Sequence, residues 1–315
     1  MADVLVLGAG ILGLSCAITL QERGHRVQIW TRDDPLQTTS AVAAAIWLPY
    51  LAEPRARVLG WSATTFATLL RQAEDPASGV RSVRTIEVYD HSDPEVWWLS
   101  AVPSARRLPA DEVPAPFHSA IELTVPLCDT TRYLPWLVAR FAAAGGRIER
   151  REVHQLDETP AGHVTVNCTG LGARTLCQDT SVRPVRGQVL KLRGVRLDHA
   201  WIDDTTENPI YMLPRIDDLV VGGTAQRDSE NLREDPADTA RILADAHRRF
   251  PQLRGAHVTA VAVGLRPYRD AIRLEPEVLP SGRRVVHNYG HGGSGFTLAW
   301  GCADEVAQIL DSTAG

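Results

Sequence analysis

The chain has 315 residues, with 33 basic and 38 acidic side chains that leave a formal net charge of −5. This length suffices for one large or two ordinary domains that enclose a cofactor. The sequence shows no dense Lys/Arg tract that could follow a phosphate backbone, and no apolar run near the roughly 18 residues that span a bilayer. We therefore expect neither a nucleic acid nor a membrane as a partner.

The N-terminus predicts a βαβ unit, with strands at 4–7 and 27–30 and a helix at 14–22. Between the first strand and the helix lies Gly8-Ala9-Gly10-Ile11-Leu12-Gly13. In a dinucleotide-binding turn, Gly8 would allow the tight bend, Gly10 a close approach to a pyrophosphate, and Gly13 close packing of helix on strand. Free amides at the helix start would bind the anion. The motif leaves the identity of the dinucleotide open.

The end of the second strand offers two side chains to a ribose. Asp33 stands near the place where an acid would hold a ribose hydroxyl, whereas Arg32 could instead suit the 2′-phosphate of NADP. An NADP-dependent dehydrogenase therefore stays open on this motif alone, as does an ordinary solvated turn.

In the middle of the chain a sheet-rich segment interrupts the predicted pattern of alternating strands and helices, which then resumes. Residues 54–126, rich in proline and short β-type runs, predict a sheet-rich insertion. Asp129 or Thr130 is expected to cap a helix that ends near residue 144. Further strands are predicted at 147–150, 164–168, 187–192, 210–213, 219–223, 258–263 and 284–288, with helices at 236–250 and 296–310.

A second glycine-rich turn lies near the C-terminus. Within residues 285–297, VVHNYGHGGSGFT, four glycines in six residues lead into an apolar helix. Backbone could approach a flat or anionic group closely there, although a loop with packing duties only is the alternative. Two such turns at opposite ends of the chain suit a long, two-ended cofactor.

This C-terminal stretch resembles the signature of the D-amino-acid oxidase family. Other segments that resemble family segments are 32–50, 164–170 (VTVNCTG), 186–188, 209–214 and 264–270, so the resemblance runs from residue 4 to residue 303. It implies an α/β fold in which a Rossmann-like FAD-binding domain is interleaved with a sheet-rich α+β substrate-binding and interface domain. The first would comprise residues 1–54, 127–185 and 265–315, and the second residues 55–126 and 186–264.

The resemblance implies FAD as the cofactor and not NADP. The family often has Gly where Ala45 stands, which alters how closely that backbone can approach the flavin ring. Together with the first glycine motif, the resemblance implies that FAD is held by Gly8, Ala9, Gly10, Ile11, Leu12, Gly13, Arg32, Asp33, Thr39, Ser40, Ala44, Ala45, Ile46, Val153, Thr169, Gly292, Gly293, Ser294, Gly295, Phe296 and Thr297.

The resemblance also implies the residues that bind the substrate. Arg269 stands at the carboxylate-binding position, with an ion pair to an acid such as Asp270 as the structural alternative. The hydroxyl of Tyr211 would support the same carboxylate, and the carbonyl of Gly293 would accept from the amino group. His291, beside the flavin loop, is interpreted as structural.

The implied reaction is the oxidative deamination of a D-amino acid. Hydride would pass from Cα to flavin N5, dioxygen would be reduced to hydrogen peroxide, and the imino acid would hydrolyse to a 2-oxo acid and ammonia. The reaction needs no metal, and no general base if the amine arrives neutral. The expected partners are the D-amino acid and O2, with a homodimer as a candidate assembly. The final residues carry no peroxisomal SKL-type signal, which favours the cytoplasm.

The preferred side chain is predicted less directly. Family members for acidic substrates tend to place Arg after a GGT segment, but Ala225 follows that segment here, which favours neutral substrates. Arg215 and Arg227 lie nearby and leave acidic substrates open. The position of the family's second pocket aromatic, near Thr206 or Glu207, is not aromatic. A glycine or sarcosine oxidase and a non-catalytic flavin-binding sensor are the competing functions.

Overall fold

The computed structural model describes residues 1–203, 205 and 209–312. The prediction about the pocket position near Thr206 or Glu207 lies outside the described residues. Everything below refers to the described part of the chain.

Fourteen strands form one mixed sheet in the described residues. They are β1 (Asp3–Leu7), β2 (Arg26–Thr31), β3 (Val80–Tyr89), β4 (Arg106–Arg107), β5 (Ser119–Cys128), β6 (Arg147–Arg150), β7 (Val164–Asn167), β8 (Arg183–Arg193), β9 (Ala200–Asp203), β10 (Ile210–Pro214), β11 (Leu219–Gly222), β12 (Gln226–Arg227), β13 (His257–Val278) and β14 (Arg284–His291).

The sheet changes from parallel to antiparallel along its width. Strands β14, β7, β1, β2 and β6 are adjacent in that order and pair in parallel, as expected where helices connect the strands. From β13 onwards the order is β8, β11, β10 and β9, and these pairs are antiparallel. Strand β9 then pairs in parallel with β3, which β5 and β4 extend in antiparallel fashion.

Seven α-helices cover the sheet within the described residues. They are α1 (Ile11–Glu22), α2 (Thr39–Val42), α3 (Arg55–Gln72), α4 (Thr130–Ala143), α5 (Ala173–Leu176), α6 (Pro236–Arg249) and α7 (Gly295–Ser312). The first and last helices of the chain, α1 and α7, pack against each other, and α3 packs against α7. The two glycine-rich turns therefore lead into neighbouring helices.

The prediction of a sheet-rich segment starting at residue 54 is wrong for its first part, because α3 occupies Arg55–Gln72. This helix buries Val58, Trp61, Thr65 and Leu69 on one face, at the three- and four-residue spacing of an amphipathic helix. A Cβ on Gly301 of α7 would lie 2.2 Å from the Trp61 carbonyl oxygen, so this glycine lets the two helices touch.

The α/β class predicted from the sequence is confirmed. The expected cap of α4 is also confirmed, because the Asp129 carboxylate accepts a hydrogen bond from the amide of Thr131 at 3.1 Å. The two-domain division stays a prediction. Strands β8 and β13 run across the predicted boundaries at 185/186 and 264/265, so the sheet is continuous there. None of the helices described is long and apolar enough to cross a membrane.

Candidate active site

The turn between β1 and α1 is built so that only glycine fits at two of its positions. Gly8 has a φ of +98°, and a Cβ there would lie 2.6 Å from the carbonyl oxygen of Cys168 on the neighbouring strand. A Cβ on Gly13 would lie 1.9 Å from the carbonyl oxygen of Gly8. Both contacts are far below van der Waals distance, so strand, turn and helix are as close as backbone allows.

The start of α1 is left open towards the turn. Gly10 precedes the helix and has no side chain to cap it, so the first-turn amides of Leu12 and Gly13 are available to an anion. The amide of Ile11 donates to the Ser40 hydroxyl at 2.9 Å. A Cβ on Gly10 would lie 3.0 Å from the same hydroxyl oxygen. Ser40 therefore borders this turn, as predicted for a residue of the cofactor site.

The second glycine-rich turn lies directly against the first. A Cβ on Gly295, the first residue of α7, would meet Leu12 at 3.4 Å and Ile11 at 3.6 Å. Gly290 and Gly292 have φ values of +90° and +53°, so the turn adopts backbone conformations that favour glycine. The fold thus joins motifs from the two ends of the chain into one cradle, which we define as residues 8–13 and 290–297.

Two hydroxyls of the cradle hold a neighbouring segment in place. Ser294 Oγ accepts from the Tyr50 amide at 2.9 Å and donates to the Tyr50 carbonyl at 2.7 Å. Thr297 makes the same pair of bonds with Leu48, at 3.1 and 2.9 Å. Their predicted place beside the cofactor is compatible with this geometry, but their hydroxyls already serve to position residues 48–50.

Ala45 has a left-handed backbone, with φ of +65°, and its carbonyl accepts from the amide of Cys128 at 2.9 Å. A Cβ is disfavoured in this conformation, so glycine would be less strained at this position. Ala44 and Ile46 on either side are half-buried, and Ile46 forms a β-bridge with Leu127.

The ribose candidates Arg32 and Asp33 pair with each other, at 2.8 Å from Nη2 to Oδ2. The Arg32 and Asp33 side chains both stay exposed in this ion pair, so both can reach a ligand. Thr39 donates to the carbonyl of Leu265 at 3.3 Å, which ties α2 to β13. Val153 is half-buried and packs on the apolar group that includes Leu7.

Tyr211 lies across two glycines of the sheet. A Cβ on Gly222 would lie 2.3 Å from the ring carbon Cζ of Tyr211, and a Cβ on Gly223 would lie 3.0 Å from its hydroxyl. The glycines thus leave room for the half-buried ring and keep its hydroxyl beside the backbone of residues 222–224.

The Arg266 side chain reaches the same segment at Thr224, the residue after these two glycines. A Cβ on Gly187 would lie 2.4 Å from its Nη1, and the same nitrogen donates to the Thr224 carbonyl at 2.9 Å. Its Cδ lies 3.7 Å from the Cβ position of Gly293, which Tyr50 Cδ1 approaches to 3.2 Å. The guanidinium has five N–H donors, and the described residues provide one acceptor for them.

The structure does not bring Arg269 to this place, and the prediction for that residue needs correction. Its Nε lies 3.1 Å from Asp179 Oδ2, its Nη1 donates to the Ala271 carbonyl at 2.6 Å, and its Cβ packs on Gly290. The predicted structural alternative, an ion pair, is therefore present, but with Asp179 and not Asp270. The physical reason lies in β13, whose register with β14 shifts between Tyr268 and Arg273, so Arg269 stands in the irregular part of the strand and Arg266 before it.

Asp179 is a strong partner for Arg269. Partial burial alone would raise the pKa of Asp179, but hydrogen bonds from Ser181 and Tyr289 and the charge of Arg269 outweigh burial and hold the pKa at about 2. The carboxylate is therefore ionised throughout the useful pH range, and it accepts from the Tyr289 hydroxyl at 2.9 Å.

Sequence reasoning missed Arg266, although the chain carried a signal for it. Gly187 and Gly264 are register partners on β8 and β13, and a glycine on one strand leaves room for a long side chain from its neighbour. Tyr50 and Thr224 were also missed, because their proximity to Gly293 and Arg266 arises only when separate segments come together.

Other cations and the cradle histidine are engaged in structural contacts. Arg215 is buried and binds Asp218 with two nitrogens, at 2.8 and 2.9 Å. Arg186 is also buried, and pairs with Asp238 at 3.0 Å. Burial lowers the pKa of His291 to about 3, so its ring is neutral, consistent with a structural role. The described residues contain no group of His, Cys, Asp and Glu that could hold a metal ion.

Known proteins are similar to this chain over nearly its full length. The family model of FAD dependent oxidoreductases matches residues 3–309. A D-amino-acid oxidase from Rubrobacter xylanophilus is 45% identical over 98% of this chain and 96% of its own length. A D-amino-acid oxidase from Streptomyces coelicolor is 42% identical over 98% of this chain and 96% of its own. The crystal structure of a glycine oxidase from Bacillus cereus covers 99% of this chain and 96% of that one, with a TM-score of 0.82 and 19% identity, which is a likeness of fold.

Proposed function

Because this chain belongs to the family of FAD dependent oxidoreductases, we propose that it is a D-amino-acid oxidase. The relatives with this activity in their names are 42% and 45% identical over nearly the full length. The observation that carries the proposal is the place of Arg266, whose Cδ lies 3.7 Å from the Cβ position of Gly293 in the cradle. Its Nη1 donates to the Thr224 carbonyl, next to the two glycines on which Tyr211 lies.

The residues present fit FAD. The cradle leaves no room for a Cβ at Gly8 or Gly13, and it presents the uncapped start of α1 to a pyrophosphate. Ser40 borders the same turn. We propose that the predicted residues from Gly8 to Thr297 hold the cofactor, with Arg32 and Asp33 at the ribose.

We propose Arg266, in place of Arg269, as the residue that binds the substrate carboxylate. A planar guanidinium can bind a carboxylate with two parallel hydrogen bonds. The hydroxyl of Tyr211 would donate to the same carboxylate, and the carbonyl of Gly293 would accept from the amino group. With carboxylate and amine held, only one enantiomer directs its Cα–H towards the cradle, so orientation supplies both rate and selectivity.

FAD, when bound, supplies the hydride acceptor for the Cα–H bond and the route for electrons to dioxygen, with hydrogen peroxide as the expected product. The protein's own task is to bind and orient the substrate. No side chain at the site has to take up a proton if the amine arrives neutral, and His291 stays neutral because it is buried. Product release as an imino acid leads to a 2-oxo acid and ammonia by hydrolysis.

Neutral D-amino acids fit the site best. Arg215, one of two cations that left acidic substrates open, is buried and saturated by Asp218. Arg227 remains, and its guanidinium carbon lies 5.8 Å from the ring centre of Tyr268. The cytoplasmic location and the homodimer stay predictions.

A peroxide assay on the purified protein tests the proposal. We expect absorption near about 450 nm and peroxide release with neutral D-amino acids but not with their L forms. Glycine and sarcosine in the same panel test the competing oxidase, and D-aspartate tests an acidic preference. A colourless protein, or equal turnover of both enantiomers, would refute the proposal, and a yellow protein without turnover would indicate a sensor.

A further inference from the structure

A hydrogen-bonded chain of side chains runs from the cradle to the far side of β13. Asn167, the buried last residue of β7, uses its whole side-chain amide in it. Its Oδ1 accepts from the amide of Thr169 at 3.2 Å and from the Thr169 hydroxyl at 2.7 Å. Its Nδ2 donates to Cys177 Sγ at 3.1 Å and lies 3.3 Å from Nδ1 of His287.

The orientation of this amide follows from chemistry. The backbone N–H of Thr169 can only donate, so the oxygen of Asn167 must face it. The NH2 group must then face His287, its register partner on β14. Because NH2 donates, Nδ1 of His287 must be an acceptor without a proton.

The tautomer of His287 is fixed by the same reasoning. Its single ring proton must lie on Nε2, which is 2.8 Å from Oε2 of Glu277. Burial lowers the pKa of His287 by more than its hydrogen bond with Glu277 raises it. The hydrogen bond from His287 in turn lowers the pKa of Glu277, so a carboxylate faces a neutral imidazole.

Apart from Cys177 Sγ, a weak acceptor that already takes a hydrogen bond from Asn167, the described groups around His287 supply no acceptor for a second ring proton at Nδ1. Arg273 on β13 disfavours the charged ring, while Glu275 on the same strand favours it weakly. Tyr289 contacts the ring edge to face, with 5.6 Å between ring centres, and its hydroxyl is directed to Asp179. Cys177 Sγ is 3.9 Å from Nδ1, and burial raises the pKa of this thiol, so it stays neutral.

The end of this hydrogen-bonded chain at Thr169 touches the cradle. The Cα of Thr169 lies 3.5 Å from the Cβ position of Gly8, and the preceding carbonyl, of Cys168, lies 2.6 Å from it. The bonds that Asn167 makes to Thr169 therefore hold one wall of the turn that contains Gly8.

We propose that Asn167 and His287 are positioning residues for FAD, through a hydrogen-bonded chain from Glu277 to Thr169 that only neutral His287 completes. This inference rests on the proposed function, because it assumes that the cradle binds FAD. A second proton on His287 would set two donors against each other at Asn167, and the amide could satisfy His287 only by releasing Thr169. FAD binding and protonation of His287 therefore oppose each other.

The sign of the pH effect follows from linkage. The ring has a lower pKa in the FAD-bound protein than in the free protein, where burial already holds the pKa below the ordinary value of histidine. Affinity for FAD is therefore full above the free-protein pKa of His287 and falls as the pH is lowered through it. Loss of one buried hydrogen bond corresponds to about a tenfold change in affinity, so the dissociation constant of FAD should rise by about tenfold across this acid titration.

The test measures FAD release and not turnover. The holoprotein is diluted at a series of pH values, and the dissociation constant is obtained from the fluorescence of the released flavin. His287→Gln keeps an acceptor for Asn167 and a donor for Glu277 but does not titrate, so its profile should lose the acid-side rise. His25→Gln is the matched control, because His25 pairs with Asp311, outside this chain of bonds, and it should follow the native profile.

Glu277→Gln gives a second and milder variant, since the Glu277 side chain is 39% exposed. Removing this carboxylate makes His287 harder to protonate, so the rise in dissociation constant should move to lower pH. An unmoved rise, or one that moves to higher pH, would overturn the proposal.

Nitrogen-15 spectra of histidine in the holoprotein decide the question even if His287→Gln does not fold. The proposal requires the ring proton of His287 on Nε2 at neutral pH, and a proton on Nδ1 would overturn it. Native protein that binds FAD with the same pH profile as His287→Gln would also overturn it and leave the proposed function intact. A protein that binds no FAD at any pH would overturn both.

Discussion

Replacing Arg266 by alanine tests which arginine of β13 binds the substrate. Arg266 lies beside Gly293, and its described hydrogen bond goes to the Thr224 carbonyl, so most of its donors can reach a carboxylate. Arg269 stands three positions away with its guanidinium already bound to Asp179 and Ala271. The two residues are a matched pair, with the same side chain on the same strand but with different partners.

The two substitutions should affect different quantities, kcat/KM for Arg266→Ala and folding stability for Arg269→Ala. A buried, charge-assisted pair with a ligand contributes about 2–5 kcal/mol, so Arg266→Ala should lower kcat/KM for a neutral D-amino acid by roughly 30-fold to several-thousand-fold. Most of the loss should appear in KM, because the carboxylate is bound before and during the reaction. Arg269→Ala breaks an ion pair that is mostly buried and should cost about 1–2 kcal/mol of folding stability while kcat/KM stays near that of the native protein.

Steady-state peroxide kinetics and thermal unfolding of both variants measure these two effects. FAD content should be matched first through the absorbance ratio, so that a loss of cofactor is not read as a loss of substrate binding. Arg266→Lys is an informative addition, because lysine keeps the charge but loses the two-point geometry, and it should recover only part of the affinity. A sharp rise in KM for Arg269→Ala, with near-native kinetics for Arg266→Ala, would refute the assignment.

Three further predictions follow from the backbone and from burial. Gly13→Ala should abolish FAD retention, because its Cβ would lie 1.9 Å from the Gly8 carbonyl oxygen, whereas Gly60→Ala in α3 meets nothing within 4 Å and should retain FAD in the same absorbance measurement. Ala45→Gly should raise the free energy of unfolding by about 1 kcal/mol in denaturant titrations, since φ is +65° there, and no gain would contradict the strain. His291 has its folded-state pKa lowered to about 3, so its contribution to stability is full above the ordinary histidine pKa and is lost as the pH falls towards 3. The native protein should therefore lose up to about 1.4 kcal/mol per pH unit more than His291→Gln in that window, and parallel curves would contradict this.

The parts of this protein that could be predicted from its sequence are those in which nearby residues make the structure. The turn from Gly8 to Gly13 is an example, because Gly13 is required by the Gly8 carbonyl of the same turn and Gly8 by its own φ of +98°. The cap of α4 by Asp129 is another, since donor and acceptor are two residues apart. The second glycine turn and the C-terminal helix follow the same rule.

The prediction for the segment that forms α3 was wrong, although the signal for a helix lies within that segment. Its apolar residues have helical spacing, but prolines and β-type runs further along the same segment dominated the prediction. The error was one of weighting, because the helical period is visible in residues 55–72.

The choice between Arg266 and Arg269 could not be made from sequence. Both stand in one short motif, and which face of β13 points to the cradle depends on how β8 and β14 pair with it. The space for the Arg266 side chain comes from Gly187, far away in the chain. Similarly, Asn167 meets His287 only because β7 and β14 are parallel neighbours in the sheet.

The sequence by itself determined the class of fold and the two glycine turns, because those depend on short-range backbone geometry that particular residues impose. FAD was implied by the family resemblance and not by the first glycine motif. The tertiary structure alone decided which guanidinium lies beside the cradle and which side chains support it. Strand pairing sets the direction of every side chain on a sheet, and pairing partners are chosen by packing across the whole domain.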